Sequence, residues 1–415
     1  MNQSETYWDI VWKQFRNNRA AYGAVWALAP LVAVAVFAPL LSSDQPLWFW
    51  DGNDYLFPWF RALFNQSQPV DFLFNMALVG FPFCGALVIL QNRRWARMGI
   101  SAGRRLWWGS LEYVAVTVLL CAVFSVDMLC PTNRYAARTF AEEEFDSHGA
   151  RYGRYVLIPF GPTEQDLVGS TYKKPLFSKP APERSKSNDG FPHLLGTDNV
   201  GSDVLARMIY GTRISITVGL VAVGIYLTIG CVLGALAGYF GGWLDMLISR
   251  VIEIVLLFPS FFLILTLVAL IGPSIYIIMV VIGITGWPTI ARLIRGEVLK
   301  QRAADYVSAA RALGFTSTRV IFRHIMPNSL APALVAAPFG IAGAIITEAG
   351  LSLLGFGIRL PAPSWGSVLK LGSENYAYWW LVVTPSIAIF VTVTIFNLIG
   401  SGLRDAMDPR LRATR

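Results

Sequence analysis

The chain has 415 residues, 54% of them apolar and only 14% charged, with a mean hydropathy of +0.50. That composition is that of an integral membrane protein. The net charge of +8 and the pI near 9.4 do not point to nucleic acid, because the basic residues cluster in short loops beside apolar runs. Cys84, Cys121, Cys130 and Cys231 lie in or at the edge of apolar runs, so neither a disulfide framework nor a metal site is implied.

In chain order, apolar runs of roughly 20 residues predict about eight spans in an all-α fold. The first covers residues 22–41 and follows Lys13, Arg16 and Arg19. It is long enough to span and has no small-residue cleavage site after it, so it reads as an anchor and not a cleaved leader. Residues 44–69, rich in Trp and Phe, are expected along the outer interface, where such rings are favoured. Two further spans, 72–90 and 107–129, flank a loop with Arg93, Arg94, Arg97, Arg104 and Arg105 and no acid. Residues 131–208 are polar and broken by Pro and Gly, which predicts a small irregular external subdomain, disordered over 173–188. Five more spans follow at 214–239, 244–271, 275–293, 330–355 and 379–400.

Threading these runs alternately places four basic segments on one side: the N-terminus, the Arg loop, residues 305–328 and the C-terminus. The excess of Lys and Arg makes that side cytoplasmic. The chain then divides into residues 1–41, 42–130, 131–208 and a core at 209–415.

Few residues in the spans carry chemistry. Gly230, Gly234 and Gly238 recur every four residues on one helical face, a stripe that lets helices pack closely in lipid. Glu253, Glu348 and Arg213 are ionisable groups in or at the ends of spans, a placement that marks candidate pathways. Glu348 and Arg213 read either as part of an outer gate or as an interfacial pair that holds helices together, and the pairing is preferred. Ser352 and Ser386 have no His on a neighbouring span at matching depth, so an intramembrane protease is poorly supported. There is no GxxxxGK[ST] motif, so the chain binds no ATP through a P-loop.

The most informative stretch is residues 305–328, DYVSAARALGFTSTRVIFRHIMPN, a basic amphipathic helix–turn–helix between two apolar runs. Small Ala309 and Ala310 allow close approach, Gly314 permits a turn that a Cβ would hinder, and Pro327 can start a helix. An ordinary basic loop held inside by its charge is the plain alternative. With Asp305 and His324, these residues resemble the coupling loop of permease subunits of binding-protein-dependent ABC importers. Three more segments, HLLGTDNVGSDVLARMIYGTRISITV, EAGLSLLGFGIRLPAPSWGSVL and NLIGSGLRDAMDPR, resemble the dipeptide/oligopeptide/nickel branch in the same order. The N-terminal layout resembles permeases of the microcin C/peptide type. Ser308, Ser202 and Ser401 depart from that pattern, and the spans at 72–129 have no counterpart in its usual six.

The resemblance implies a type I ABC importer permease core with two extra N-terminal helices, in a bacterial inner membrane with both termini cytoplasmic. Its coupling loop, residues 297–328, would dock on a separate ATPase that binds ATP and Mg; this chain itself would hold no cofactor. It implies a second permease in a heterodimer, two ATPase subunits and an extracytoplasmic solute-binding protein. The expected cargo is a peptide or peptide-like solute. A nickel or nickel-chelate importer is the alternative within the class. A lone channel or secondary transporter is the alternative outside it, but inverted repeats and broken helices with midplane charges are not evident.

Overall fold

In lipid, an apolar run satisfies its own backbone only as a helix, and helices dominate the computed structural model. It describes residues 7–50, 54–65, 68–97, 102–125, 152–166, 170–177, 191–358 and 362–407. The first elements are α1 (Tyr7–Asn17), α2 (Arg19–Val36), α3 (Ala38–Leu41), β1 (Trp48–Trp50), β2 (Tyr55–Leu56) and α4 (Pro58–Ala62). α5 (Pro69–Arg97), α6 (Ala102–Phe124) and β3 (Tyr152–Arg154) follow, then α7 (Val204–Phe240), α8 (Gly242–Leu257), α9 (Ser260–Ile271) and α10 (Ile275–Arg302). The last are α11 (Asp305–Ala312), α12 (Ser317–Arg319), a π-helical turn (Val320–Ile325), α13 (Met326–Ser329), α14 (Ala331–Leu353), α15 (Trp365–Glu374) and α16 (Trp380–Met407).

Six described helices are long and apolar enough to cross a bilayer, and α8 with α9 adds a bent seventh segment. α6 is shorter in its apolar part, Trp108–Phe124, so the described residues give up to seven crossings where the sequence suggests about eight. The bent segment corrects the expectation of one continuous span over 244–271. α8 and α9 meet at 86° across Phe258 and Pro259. A residue before proline is driven out of the α region, and proline lacks the N–H that would continue the helical ladder.

The chain forms two compact units, one of Met1–Pro30, Ser215–Arg359 and Pro385–Arg415, the other of Leu31–Ile214 and Leu360–Thr384. In the first, α7 and α10 touch backbone to backbone. A Cβ on Gly234 would lie 2.6 Å from the Ala291 carbonyl oxygen, and Cβ atoms on Gly230 and Gly238 would lie 2.9 Å from those of Trp287 and Arg295. The close packing expected of the glycine stripe is therefore what it provides. α8 is tied to the same face of α10 by a two-pronged ion pair: Arg295 Nη2 lies 2.7 Å from Asp245 Oδ2, while its Nε bonds Oδ1.

The second unit is organised around Arg213, which is fully buried near the start of α7. Its Nε donates to the Ala35 carbonyl at 2.7 Å and its Nη1 to Asp71 Oδ1 at 3.0 Å, with the Phe74 and Tyr210 rings beside it. One side chain thus links the ends of α2, α5 and α7. Residues 44–69 and 131–208, read separately in the sequence, share a small antiparallel sheet of order β2-β1-β3, with Phe49 opposite Gly153. Disorder is not found over residues 173–177. Lys173 N–H donates to Thr197 Oγ1 at 2.8 Å, and Thr197 N–H returns a bond to the Lys173 carbonyl. Residues 178–188 lie outside the described residues. α15 opens with a reciprocal cap between Ser364 and Ser367, and its buried Trp365 donates to the Met208 carbonyl at 3.1 Å.

The α7–α10 contact predicts opposite outcomes for two alanines. Gly234→Ala forces the helices apart and costs roughly 1–3 kcal/mol. Gly224→Ala, with nothing within 4 Å of the new Cβ, is neutral or stabilising by up to about 1 kcal/mol. Thermal unfolding in detergent should show a lowered midpoint for the first variant and none for the second.

Candidate functional site

The candidate site is the segment between α10 and α14. Helix α11 ends in a Schellman arrangement: Phe315 N–H bonds the Ala310 carbonyl at 3.2 Å, Gly314 N–H bonds that of Arg311 at 2.9 Å, and Gly314 has φ +76°. A side chain at Gly314 would be strained there, as its position in the sequence suggests. Thr316 caps α12 by accepting from Arg319 N–H. Pro327 sits in the first turn of α13, where its missing N–H leaves nothing unsatisfied. The second half of the expected helix–turn–helix is not one α-helix but a short α turn, a π turn over Val320–Ile325 and another α turn.

Two faces result. Val307, Ala310, Val320, Ile321 and Ile325 are buried in the same cluster as Trp287, Ile294 and Val298 of α10, so the element is rooted in the core. His324 is half-buried and stacks on Phe315, which also lies under the Arg319 guanidinium. The outward face carries Asp305, Ala309, Gly314 and two large apolar side chains, Leu313 (73% exposed) and Phe322 (56% exposed). Sequence reading missed Leu313 and Phe322. Leu313 adjoins the selected Gly314 and Phe322 lies two residues before His324, and only the burial of the opposite face shows that these point outward.

The other sequence candidates do not join this element. Glu253 pairs with Arg250 one turn away at 2.7 Å, both largely exposed on α8. Glu348 is fully buried on α14 and accepts from Ser352 Oγ at 2.8 Å. Arg213 has in Asp71 a carboxylate partner that sequence reading did not name.

A second polar cluster lies in the other unit, around the start of α7. Asp198 accepts from the backbone N–H groups of Val200 and Ser202 and pairs with Arg207. His193 Nδ1 lies 2.9 Å from Asp203 Oδ2, its ring stacked on Phe160. Glu164 accepts from Gly161 N–H at 3.0 Å, and Ser170 donates to Asp166 at 2.5 Å. Burial pushes the Glu164 carboxyl up to about 7, and the negative charges of Asp44, Asp203 and Asp166 add to the shift.

Residues 230–413 match the family of binding-protein-dependent transport system inner membrane components. Residues 6–58 match the N-terminal transmembrane domain of oligopeptide transport permease C. The dipeptide transport system permease protein DppC of Alkalihalophilus pseudofirmus is 43% identical over 223 residues, 53% of this chain and 73% of that protein. The chain belongs to the binding-protein-dependent permease family. A glutathione transport system permease protein GsiD of Pectobacterium atrosepticum is 38% identical, covering 56% of this chain and 77% of the relative. An oligopeptide transport system permease protein OppC of Haemophilus influenzae is 40% identical, covering 53% and 71%. This permease is therefore a multi-pass inner-membrane protein. The 305–328 segment lies inside the matched core, while α5 and α6 fall between the two matched segments.

The Glu164 cluster gives the permease a pH dependence of defined sign. Its carboxyl titrates near 7 when folded against an ordinary 4.5, so the folded state favours the protonated form. That contribution is complete below the ordinary value and is lost as pH rises through about 7. Glu164→Gln, which mimics the protonated acid, should match the parent's unfolding midpoint at acid pH and exceed it above neutrality. Melting curves across pH read this directly.

Proposed function

We propose that this chain is one transmembrane subunit of an ATP-driven importer that carries peptides or peptide-like solutes into the cytoplasm. The observation that carries the reading is the two-faced element at residues 305–328. Its inner face is continuous with the core helices, and its outer face presents Leu313 and Phe322 around the Gly314 turn. A soluble protein that covers those side chains gains roughly 1.5–3 kcal/mol from each. A separate ATPase, which supplies the P-loop absent from this sequence and binds ATP and Mg, is the partner such a surface fits. ATP-driven closure of the ATPase pair then moves the element, and the rooted core moves with it.

Relatives named for dipeptide, oligopeptide and glutathione transport support a peptide cargo. A second permease subunit, two ATPase subunits and an extracytoplasmic solute-binding protein complete the assembly. The termini and the 305–328 element face the cytoplasm in this reading, consistent with the basic residues that flank the spans.

Substituting Asp for Leu313 or Phe322 places a charge on the docking face without touching the buried one. In reconstituted complex, each variant should insert normally but lose substrate-stimulated ATPase activity and uptake by about tenfold or more, as expected for a buried apolar contact. Full stimulation in both variants would contradict the docking role.

A further inference from the structure

Residues 158–166 run from the end of α3 to the turn that precedes α7, and backbone bonds hold both ends. Ile158 N–H bonds the Leu41 carbonyl at 2.9 Å, and the Ile158 carbonyl accepts from Ser43 N–H at 3.1 Å. Ser42 Oγ donates to the Phe160 carbonyl at 2.6 Å. At the other end, Asp166 N–H bonds the Val200 carbonyl at 3.1 Å. Pro159 and Pro162 have no N–H to add, so the stretch is held by few bonds.

Carboxyl groups crowd the first of these ends. Gly161 N–H donates to Glu164 Oε2 at 3.0 Å, and a Cβ on Gly161 would lie 3.0 Å from the Asp44 carboxyl carbon, so one residue meets both acids. Asp203 caps the start of α7 through Ala206 N–H and faces His193 Nδ1, while Asp166 accepts from Ser170 Oγ. The charges that act on Glu164 are those of Asp44, Asp203 and Asp166, all acidic. Arg207, close by, is engaged by Asp198. An ionised Glu164 therefore meets like charge from the 41–44 segment, from the start of α7 and from its own stretch, whereas a protonated one meets none. Asp44 is exposed and Glu164 half-buried, so water reaches the cluster.

We propose that residues 158–166 form a proton-operated strap, docked on residues 41–43 when Glu164 carries a proton and released from them when Glu164 is ionised. Proton uptake removes the charge that Asp44 repels and leaves the bonds of Ile158 and Phe160 uncontested. Ionisation sets a carboxylate on either side of Gly161, and the relief lies in parting the few bonds to 41–43. The Asp166 end stays in place, because the turn it meets is fixed separately by Asp198, which accepts from Val200 and Ser202 N–H. The strap makes the grip between the end of α3 and the entry to α7 depend on pH, whatever the permease carries.

The test is amide hydrogen exchange on the full chain in lipid nanodiscs, read at Ser43 and Ile158 across pH and corrected for the intrinsic pH dependence of exchange. Glu164 titrates near 7 when docked against an ordinary 4.5, so docking is complete below the lower value and is lost as pH rises through the upper one. Local opening should therefore rise by up to about tenfold per pH unit between the two and level off above them. Glu164→Gln should abolish the rise and keep at every pH the protection that the parent shows in acid. Asp44→Asn removes one repelling charge and should shrink the rise. Amides of α15, in the same unit, should show no such rise. A flat profile in the parent, a rise that survives in Glu164→Gln, or an equal rise in α15 overturns the proposal.

Discussion

The backbone-distance contact between α7 and α10 underlies the rest of the first unit. Three glycines on one face bring α7 against the carbonyls of Trp287, Ala291 and Arg295, and no larger residue fits there. Lipid supplies little drive for apolar helices to associate, so this closeness, with the dispersion contacts it brings, does the work that the hydrophobic effect does in water. α10 runs on into the 305–328 element, whose Val307, Val320 and Ile325 belong to the same cluster. That element is therefore anchored on α10 through packed side chains and not through a flexible tether.

Much of this arrangement is legible in the sequence because the signals are local. The four-residue glycine spacing, the apolar runs and the Gly314 turn each depend on residues a few positions apart. What escaped was non-local or masked by composition. Asp71 stands at the edge of an apolar run, 142 residues from the Arg213 it pairs with, and no periodicity links the two. β3 joins β1 across the α5–α6 hairpin, so two segments that read as separate external pieces form one sheet. Leu313 and Phe322 read as ordinary apolar positions of an amphipathic helix until the end of α11 and the π turn set which way each faces.

The second unit depends on a different device, the buried guanidinium of Arg213. Burying a charge is tolerable only where partners meet it, and here a carbonyl, a carboxylate and two aromatic faces do so. Such a centre specifies one arrangement of α2, α5 and α7 more sharply than apolar packing does, because a shift of any of them strands a charge. The Asp198–Arg207 pair and the bonds between Thr197 and Lys173 extend the same logic through the segment that precedes α7.

The sharp bend between α8 and α9 admits two topologies, a single broken crossing or a loop that dips in and returns to the same face. The Asp245–Arg295 pair decides between them. It holds the beginning of α8 beside the final third of α10, whereas α9 runs directly into the beginning of α10. The two ends of the bent segment are thus at opposite ends of a helix that itself traverses the bilayer. The segment is an antiparallel strut that crosses once, so the polypeptide emerges from α10 on the same face as the α7–α8 corner. A dipping loop would have inverted everything that follows and put the 305–328 element in the opposite compartment.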